Sequence, residues 1–218
     1  IDRKDIDRIV FNPKGDVEDN EFNIWKGFKY KKKAEGDECK IQDFLNHIRH
    51  IWANDNEDTY NYILNWFSKL LQNPWKKNNI CLVLHSIEGV GKSFILDMIG
   101  KIIGSDYCNT IITTNEDHIV NINGQDRRFN ILECNNKKYN KEYYQKIADT
   151  NLQDLADYFY SRDISNYDSR DFVKSELHQQ QVKKNMDSTE LFYTELIEGD
   201  IMTDSYENQK NPWFDKYE

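Results

Sequence analysis

A short apolar run, a glycine turn and an amphipathic stretch follow one another in the middle of the chain. The run from Ile80 to Leu84 contains no polar side chain apart from a cysteine, and it suits a strand that is buried on both faces. It leads through one residue into positions 86–93, which read Ser-Ile-Glu-Gly-Val-Gly-Lys-Ser. Apolar residues then repeat at helical spacing from Phe94 to Ile103, and Gly104 ends the helix. This order predicts an α/β fold with the strand, turn and helix at its centre.

The glycine turn carries the residue types that bind phosphate groups. Glycine tolerates backbone angles at which the N–H groups of residues 89–91 face an anion. Lys92 can reach the outer phosphates of a nucleotide, and the Ser93 hydroxyl can hold Mg²⁺ where the helix starts. The usual pattern begins with glycine at the position of Ser86, and the alternative interpretation is a turn that binds nothing. The residues predicted to bind ATP and Mg²⁺ are Ser86, Gly89, Val90, Gly91, Lys92 and Ser93.

Apolar spacing divides the chain into four parts. Residues 1–40 are polar and rich in turns, with one aromatic cluster from Phe22 to Phe28, and they predict short strands. Residues 41–78 carry two stretches with apolar positions at offsets 0, 3, 4, 7, 10 and 11, which predict a helical hairpin. Residues 79–160 contain the glycine turn. Residues 161–218 predict a helical segment that ends in a polar tail.

Two further strands and several helices are predicted after the glycine turn. The strands are Thr110 to Thr114 and Phe129 to Glu133, with a turn at Asn123-Gly124 between them. The helices are predicted from Lys141 to Tyr160, from Asp171 to Val182 and from Ser188 to Ile197.

Composition excludes several classes of protein. The chain of 218 residues has 38 acidic and 29 basic side chains, and its net charge of -9 argues against wrapping nucleic acid by bulk charge. Local basic patches, Lys29 to Lys33 and Lys183-Lys184, stay open as backbone contacts or as solvated charge. No apolar run approaches the roughly 18 to 20 residues that cross a bilayer, so we expect no membrane association.

Cysteine and histidine positions give no strong site. The four cysteines are far apart and form no CxxC pair, which favours a reducing, intracellular compartment. His47 and His50 lie three residues apart, and Cys39 precedes them, yet the sequence offers no fourth ligand. We therefore expect no metal site there.

Three motifs in combination resemble those of the superfamily 3 helicases of viruses, phages and mobile elements. They are Ser86 to Ser93, the strand that ends in Thr113-Thr114-Asn115, and the run Asp126-Arg127-Arg128-Phe129. The chain looks most like the primase-helicase proteins, and the likeness covers most of residues 20–200. It implies an AAA+-like phosphate-loop ATPase core, ATP and Mg²⁺ as ligands, and movement along single-stranded DNA. It further implies a homo-oligomeric ring of hexamer type, a primase domain or protein as partner, and a location in host cytoplasm or at a viral replication site.

The resemblance also implies roles for single residues. Lys92 and Ser93 would contact the phosphates and the metal, and Asn115 would orient the attacking water near the γ-phosphate. Arg127 or Arg128 would enter the neighbouring subunit's site, where a fixed guanidinium stabilises transition-state charge. Simpler interpretations stay open, because the asparagine also suits a turn at a strand end and the arginine pair also suits a solvated surface.

The chain departs from the family between the helix after the glycine turn and the strand that precedes Asn115. The family has a further strand there with paired acids that hold Mg²⁺, whereas this chain has only residues 105–109. We interpret the difference as a missing internal stretch between 105 and 110 rather than as a truncated, hydrolytically impaired relative. A rival hypothesis makes Glu133, at the end of an apolar stretch, the metal-site acid.

Three function classes follow from these observations. The leading prediction is the ATPase part of a replicative helicase. The first alternative is an interaction module that binds a nucleotide without hydrolysing it, which the missing acidic strand favours. The second is a small nucleotide kinase, whose lid needs several arginines. The arginines available for such a lid are few and scattered, namely Arg127, Arg128, Arg162 and Arg170.

Overall fold

The secondary structure combines short strands with longer helices. The computed structural model describes residues 6–104, 111–116, 119–123, 126–172 and 174–198. The strands are β1 (Arg8–Val10), β2 (Glu21–Asn23), β3 (Cys81–His85), β4 (Ile111–Thr114) and β5 (Phe129–Glu133). The α-helices are α1 (Gln42–His47), α2 (Glu57–Gln72), α3 (Lys92–Ile103), α4 (Lys141–Ala148), α5 (Leu152–Ser161), α6 (Glu176–Asn185) and α7 (Ser188–Glu198). The chain therefore has a mixed α/β fold, and both of its described sheets are parallel.

The apolar run before the glycine turn forms the central strand of a parallel sheet. Its strand order is β4-β3-β5, with Leu84 of β3 aligned with Leu132 of β5 on one side and with Thr113 of β4 on the other. Leu82, Val83 and Leu84 are completely buried, as a strand covered on both faces requires. The predicted strand is therefore confirmed, and parallel pairing brings the carboxyl ends of all three strands to one edge.

Helices cover both faces of this sheet. On one face, Leu82 and Leu84 pack into a large core that includes α2, α3 and α5. On the other face, Val83 and Ile131 pack in a smaller cluster with Leu177 and Val182 of α6. This arrangement fixes the central strand in position, because burial of apolar side chains on both of its faces opposes any shift in register.

Three helices differ from the prediction, because they start at a later residue or are divided into shorter segments. The first helix of the hairpin consists of a 3-10 turn over Glu38–Ile41, then α1, then a π-helix over Ile48–Trp52. The stretch predicted as one helix from Lys141 contains two, because the Asn151 side chain accepts a hydrogen bond from the Gln153 N–H at 2.7 Å and starts α5. In the same way, Ser175 caps α6, which therefore begins at Glu176 rather than at Asp171.

Strand β4 forms one edge of the central sheet. Its only partner among the described residues is β3, and its side chains are half-buried. The predicted gap at residues 105–110, the glycine of the Asn123-Gly124 turn and the tail from residue 199 onward lie outside the described residues. None of the helices in the described ranges is long and apolar enough to cross a membrane.

Candidate functional site

A cavity of about 360 Å³ opens at the carboxyl end of the central strand. The glycine turn that follows β3 and the end of β4 form its walls, since parallel strands bring these two segments to the same edge. Ser86, although predicted as a binding residue, is buried beneath the turn. The cavity is lined by Glu88, Gly89, Val90, Gly91, Lys92, Ser93, Phe94, Thr113, Thr114 and Asn115.

Two glycines give the turn a shape that other residues would disturb. Gly89 and Gly91 have φ angles of 85° and 90°, in the left-handed region that side chains disfavour. A Cβ atom on Gly91 would lie 2.7 Å from Tyr144 Cε1 and 2.9 Å from His47 Cε1. The turn therefore runs close to these rings, and Gly91 leaves the first N–H groups of α3 without a capping side chain. Such N–H groups form a site for an anion.

The Lys92 ammonium lies inside the turn and ties it to β4. Its Nζ donates to the Ser86 carbonyl at 2.8 Å, to the Ser86 hydroxyl at 2.6 Å and to the Ile87 and Thr114 carbonyls at 3.3 Å each. Partial burial lowers the pKa of Lys92 from its ordinary value. The Lys92 ammonium thus lies at the floor of the cavity, bonded to neutral oxygen atoms. A phosphate oxygen can replace some of these acceptors.

Asn115 reaches the cavity from the end of the neighbouring strand. Its Nδ2 donates to Glu88 Oε1 at 3.4 Å, across from the glycine turn, and the Ser86 N–H donates to the Thr114 carbonyl at 3.2 Å. The structure thereby brings Asn115 and Lys92 to one site, although 22 residues separate them in sequence. Glu88 also lines the cavity, although no role was predicted for it from the sequence. Its position between Ser86 and Gly89 was the only signal.

Side chains from α4 and from the connection that precedes it contact the outside of the turn. The Tyr144 hydroxyl of α4 donates to the Gly89 carbonyl at 3.2 Å, and the Ile87 N–H donates to Asn136 Oδ1 at 2.9 Å. The exposed Lys138 side chain lies 3.5 Å from the point that a Cβ on Gly89 would occupy. These contacts fix the turn before any ligand binds, which lowers the entropic cost of binding.

His47 packs against the same turn, apart from His50. It is completely buried, and its Nδ1 lies 3.2 Å from the Tyr143 hydroxyl. Its sequence neighbour His50 is exposed and bonds to Asp55 instead. The described part of the chain contains no group of three or more His, Cys, Asp or Glu side chains that could hold a metal ion.

Burial of His47 should make the stability of the fold depend on pH. Burial lowers the pKa of His47 from 6.5 to about 4, whereas the unfolded chain protonates it near the ordinary value. The unfolded state therefore binds more protons in this window, and the free energy of unfolding falls as the pH drops from about 6.5 toward 4, by up to about 3 kcal/mol. Urea unfolding at several pH values measures this loss.

One variant separates the contribution of His47 from those of other groups. We expect His47→Gln to flatten the pH dependence of the free energy of unfolding. A residual slope is expected from His178, since burial lowers its pKa as well. An unaltered slope in His47→Gln would contradict the assignment.

The structure does not bring the arginine pair to the cavity of the same chain. Arg127 and Arg128 precede β5 at its amino end, and the five residues of that strand place them roughly 16 Å from the cavity edge of the sheet. Arg127 is exposed. Arg128 forms two side-chain bonds to Asp126, whose carboxyl pKa the guanidinium lowers. Any role of these arginines in phosphate chemistry therefore requires a neighbouring subunit.

Glu133 stands at the cavity edge of the sheet but outside the cavity wall. It is exposed at the carboxyl end of β5, aligned with His85 of β3, and it is absent from the lining residues. Glu88 is the carboxylate that faces the cavity directly. Glu133 therefore lies near the cavity without lining it, and its rival assignment to a metal site rests on that proximity.

Comparisons with solved structures show a shared fold. The apo structure of the NrS-1 C-terminal region superimposes with a TM-score of 0.72 at 18% identity, covering 89% of this chain and 64% of that one. An A-form apo structure of the same region gives a TM-score of 0.71 at 18% identity, and the chain spans 63% of its length. A second A-form structure gives 0.67 at 18% identity, covering 92% of this chain and 68% of the other. No protein-family model matches the chain. No curated protein matches it either.

Proposed function

We propose that the cavity at the end of β3 binds ATP with Mg²⁺, and that the chain is the ATPase part of a replicative helicase of the superfamily 3 type. One observation carries the proposal, namely that the glycine turn, Lys92 and Asn115 converge on one cavity from two parallel strands. The phosphate-loop NTPase fold is part of this proposal. The likeness to the NrS-1 C-terminal region supports it through the fold alone.

The residues of the cavity fit a nucleotide phosphate chain. Gly91 lets the turn lie against the Tyr144 and His47 rings, where a Cβ atom would clash, and the uncapped N–H groups at the start of α3 can bind an anion. On binding, Lys92 exchanges the Thr114 and Ile87 carbonyls, its longest contacts, for phosphate oxygens. In this proposal the exposed Ser93 hydroxyl holds Mg²⁺, and the metal ion neutralises part of the phosphate charge.

Hydrolysis and translocation belong to the assembled protein in this proposal. Asn115 positions a water through its side-chain amide, whose partner among the described residues is the exposed Glu88 carboxylate. Arg127 is exposed, whereas Arg128 is bonded to Asp126, so Arg127 is the better placed of the two arginines to reach a neighbouring subunit. Single-stranded DNA, a homo-oligomeric ring and a primase partner complete the proposed setting.

A nucleotide-binding module without hydrolysis is the second candidate. One observation favours it. Glu88, the carboxylate of the described cavity wall, already accepts a hydrogen bond from Asn115. A nucleotide kinase is less favoured. Arg162, one arginine that its lid would need, is bound to Asn61 and Asn65 of α2.

Binding and turnover measurements separate the three candidates. We expect a fluorescent ATP analogue to bind the chain with Mg²⁺, and ATP to displace it. Steady-state hydrolysis is then measured with and without single-stranded DNA. Stimulation by DNA identifies a helicase domain, and phosphate transfer to an added nucleotide identifies a kinase. Binding without turnover fits both the module and a helicase domain that lacks its acidic strand, and turnover after a native insert is restored separates these two. Absence of any nucleotide binding would overturn the proposal.

A further inference from the structure

The N-terminal ribbon of β1 and β2 presents one apolar face to solvent. Ile9 and Phe22 are aligned in the parallel register, and their side chains are 69% and 46% exposed. Phe11 and Ile24, which follow the two strands directly, are 50% and 49% exposed. We call these four residues the ribbon face. Contiguous exposed apolar side chains of this size mark an interaction site.

The ribbon face is anchored to the rest of the fold. Trp25 packs edge-to-face on Phe11, with ring centroids 5.5 Å apart, and on Phe28 at 5.1 Å. Phe28 is itself buried in the main core. The Ile24 N–H donates to the Val10 carbonyl at 2.9 Å and extends the pairing beyond the strands. The exposed rings are thus held in place, which suits a preformed binding surface.

One lysine contacts the ribbon face, and four more follow it in the sequence. The Lys26 ammonium lies 4.4 Å from the centroid of the Phe22 ring. From Phe22 to Lys33 the chain has five lysines and no acidic residue, in a protein whose net charge is -9. Among these five, the described residues show an ion pair only for Lys32, which bonds to Glu35. The remaining four lysines are exposed, namely Lys26, Lys29, Lys31 and Lys33.

Two carboxylates of the ribbon are paired with cations. Glu21 is adjacent to Phe22 on its strand, so it lies on the opposite face, where it pairs with Arg8. Asp16, in the connection between the strands, pairs with Lys14. The same connection also carries Glu18 and Asp19, and Asp7 precedes β1. The excess of positive charge is therefore confined to the lysine run from Lys26 to Lys33, which follows Phe22 in the sequence.

We propose that the ribbon face binds single-stranded nucleic acid. The bases stack on Phe11 and Phe22, and Lys26 with the following lysines contacts the phosphates, as in other single-strand platforms. Charge complementarity favours this occupant over a second copy of the chain, because a symmetric contact would bring two rows of lysines together. The site lies on a different sheet from the nucleotide cavity, and its binding requires neither ATP nor Mg²⁺.

Fluorescence anisotropy of a labelled oligothymidylate tests the proposal on the full chain, without nucleotide. We expect Phe22→Ala to weaken binding about 5- to 100-fold, the range expected from loss of one stacked base, and Phe22→Trp to retain it. Replacing Lys26 and Lys29 together with glutamine should reduce the salt dependence of the affinity. Matched controls are Trp75→Ala, another exposed aromatic, and the pair Lys76→Gln and Lys77→Gln.

The outcomes separate this site from the nucleotide cavity. The same measurement on a Lys92→Ala chain should give unchanged DNA affinity, whatever happens to ATP binding. Equal losses in Phe22→Ala and Trp75→Ala would overturn the proposal, and so would absence of oligothymidylate binding. A sedimentation experiment adds one more test, because dimers that dissociate in Phe22→Ala would assign the face to a second copy instead.

Discussion

Replacing Lys92 with alanine should abolish ATP binding while the chain stays folded. The ammonium is the one cation among the lining residues of the cavity, so its loss removes the main attraction for the outer phosphates. A hydrogen bond to a charged group contributes about 1.5 to 3 kcal/mol, and Lys92 can offer more than one, which corresponds to a loss of affinity of 100-fold or more. Titration with a fluorescent ATP analogue measures this effect.

The structure adds a stability cost to this variant. Without the ammonium, the Ser86 and Thr114 carbonyls lose a donor at the floor of the cavity, and we expect a decrease of about 1 to 2 kcal/mol in the free energy of unfolding. Lys101→Ala is the matched control, because it removes an exposed lysine from the last turn of the same helix. Circular dichroism checks that both variants fold. Equal ATP affinity in the two variants would refute the phosphate-site assignment.

The central strand, turn and helix were predictable because each obeys a local rule. An unbroken apolar run has to be buried on both faces, a glycine pair permits left-handed angles, and apolar residues at helical spacing need one buried side. The observed limits, Cys81–His85 and Lys92–Ile103, lie within two residues of the predicted runs, Ile80 to Leu84 and Phe94 to Ile103. The meeting of Asn115 with Lys92 was also predictable, since parallel strands end at the same edge.

The brace around the turn was not predictable from local patterns. His47 and Tyr144 come from helices that lie far from the turn in sequence, and only tertiary packing brings their rings to Gly91. A histidine in an apolar stripe gives the same pattern whether it packs in a core or binds a metal. The break before Asn151 was missed for a related reason, because a capping asparagine competes with an apolar spacing that continues on both sides.

The ribbon face illustrates a further limit of sequence patterns. The aromatic cluster from Phe22 to Phe28 looks uniform in sequence, yet Phe28 is buried in the core and Phe22 is exposed. The strand ends at Asn23, and the chain turns at Gly27, whose φ is 85°, before Phe28 enters the core, so only the tertiary fold distinguishes the two rings. Lys26, which lies over the Phe22 ring, comes just before the lysine run from Lys29 to Lys33.

The order of strands in the central sheet leaves a position for the acidic strand that the sequence lacks. The strand that ends in Asn115 is the outer neighbour of β3, and the described residues show no further strand beyond it. A strand inserted between the helix α3 and this strand could pair along the free edge of β4 without disturbing β3 or β5. Paired acids at its carboxyl end would then reach the cavity edge next to Asn115, a place that Glu133 does not occupy because it lies on the other side of β3.

The chain as written should therefore bind ATP and hydrolyse it only at the background rate. Mg²⁺ held by Ser93 and phosphate oxygens alone lacks the carboxylate that fixes its coordination and helps to place the water. In a single-turnover assay with Mg²⁺, we expect the chain to match its Lys92→Ala variant, and Glu133→Gln to change nothing. Restoring a native insert after Asp106, which lies outside the described residues, should raise the rate by several orders of magnitude.

Two variants make this expectation decisive. If Glu133 were the metal-site acid, the unmodified chain would show Mg²⁺-dependent turnover that Glu133→Gln removes, and the account of a missing strand would fail. If Glu88 served instead, Glu88→Gln would remove the turnover, because its carboxylate faces the cavity beside Asn115. Glu176→Gln, at the start of α6 and away from the cavity wall, controls for the loss of one charge. Background rates in all four proteins agree with a catalytic acid supplied from outside the present sequence and also with the non-hydrolysing module, and restoring the native insert separates these two.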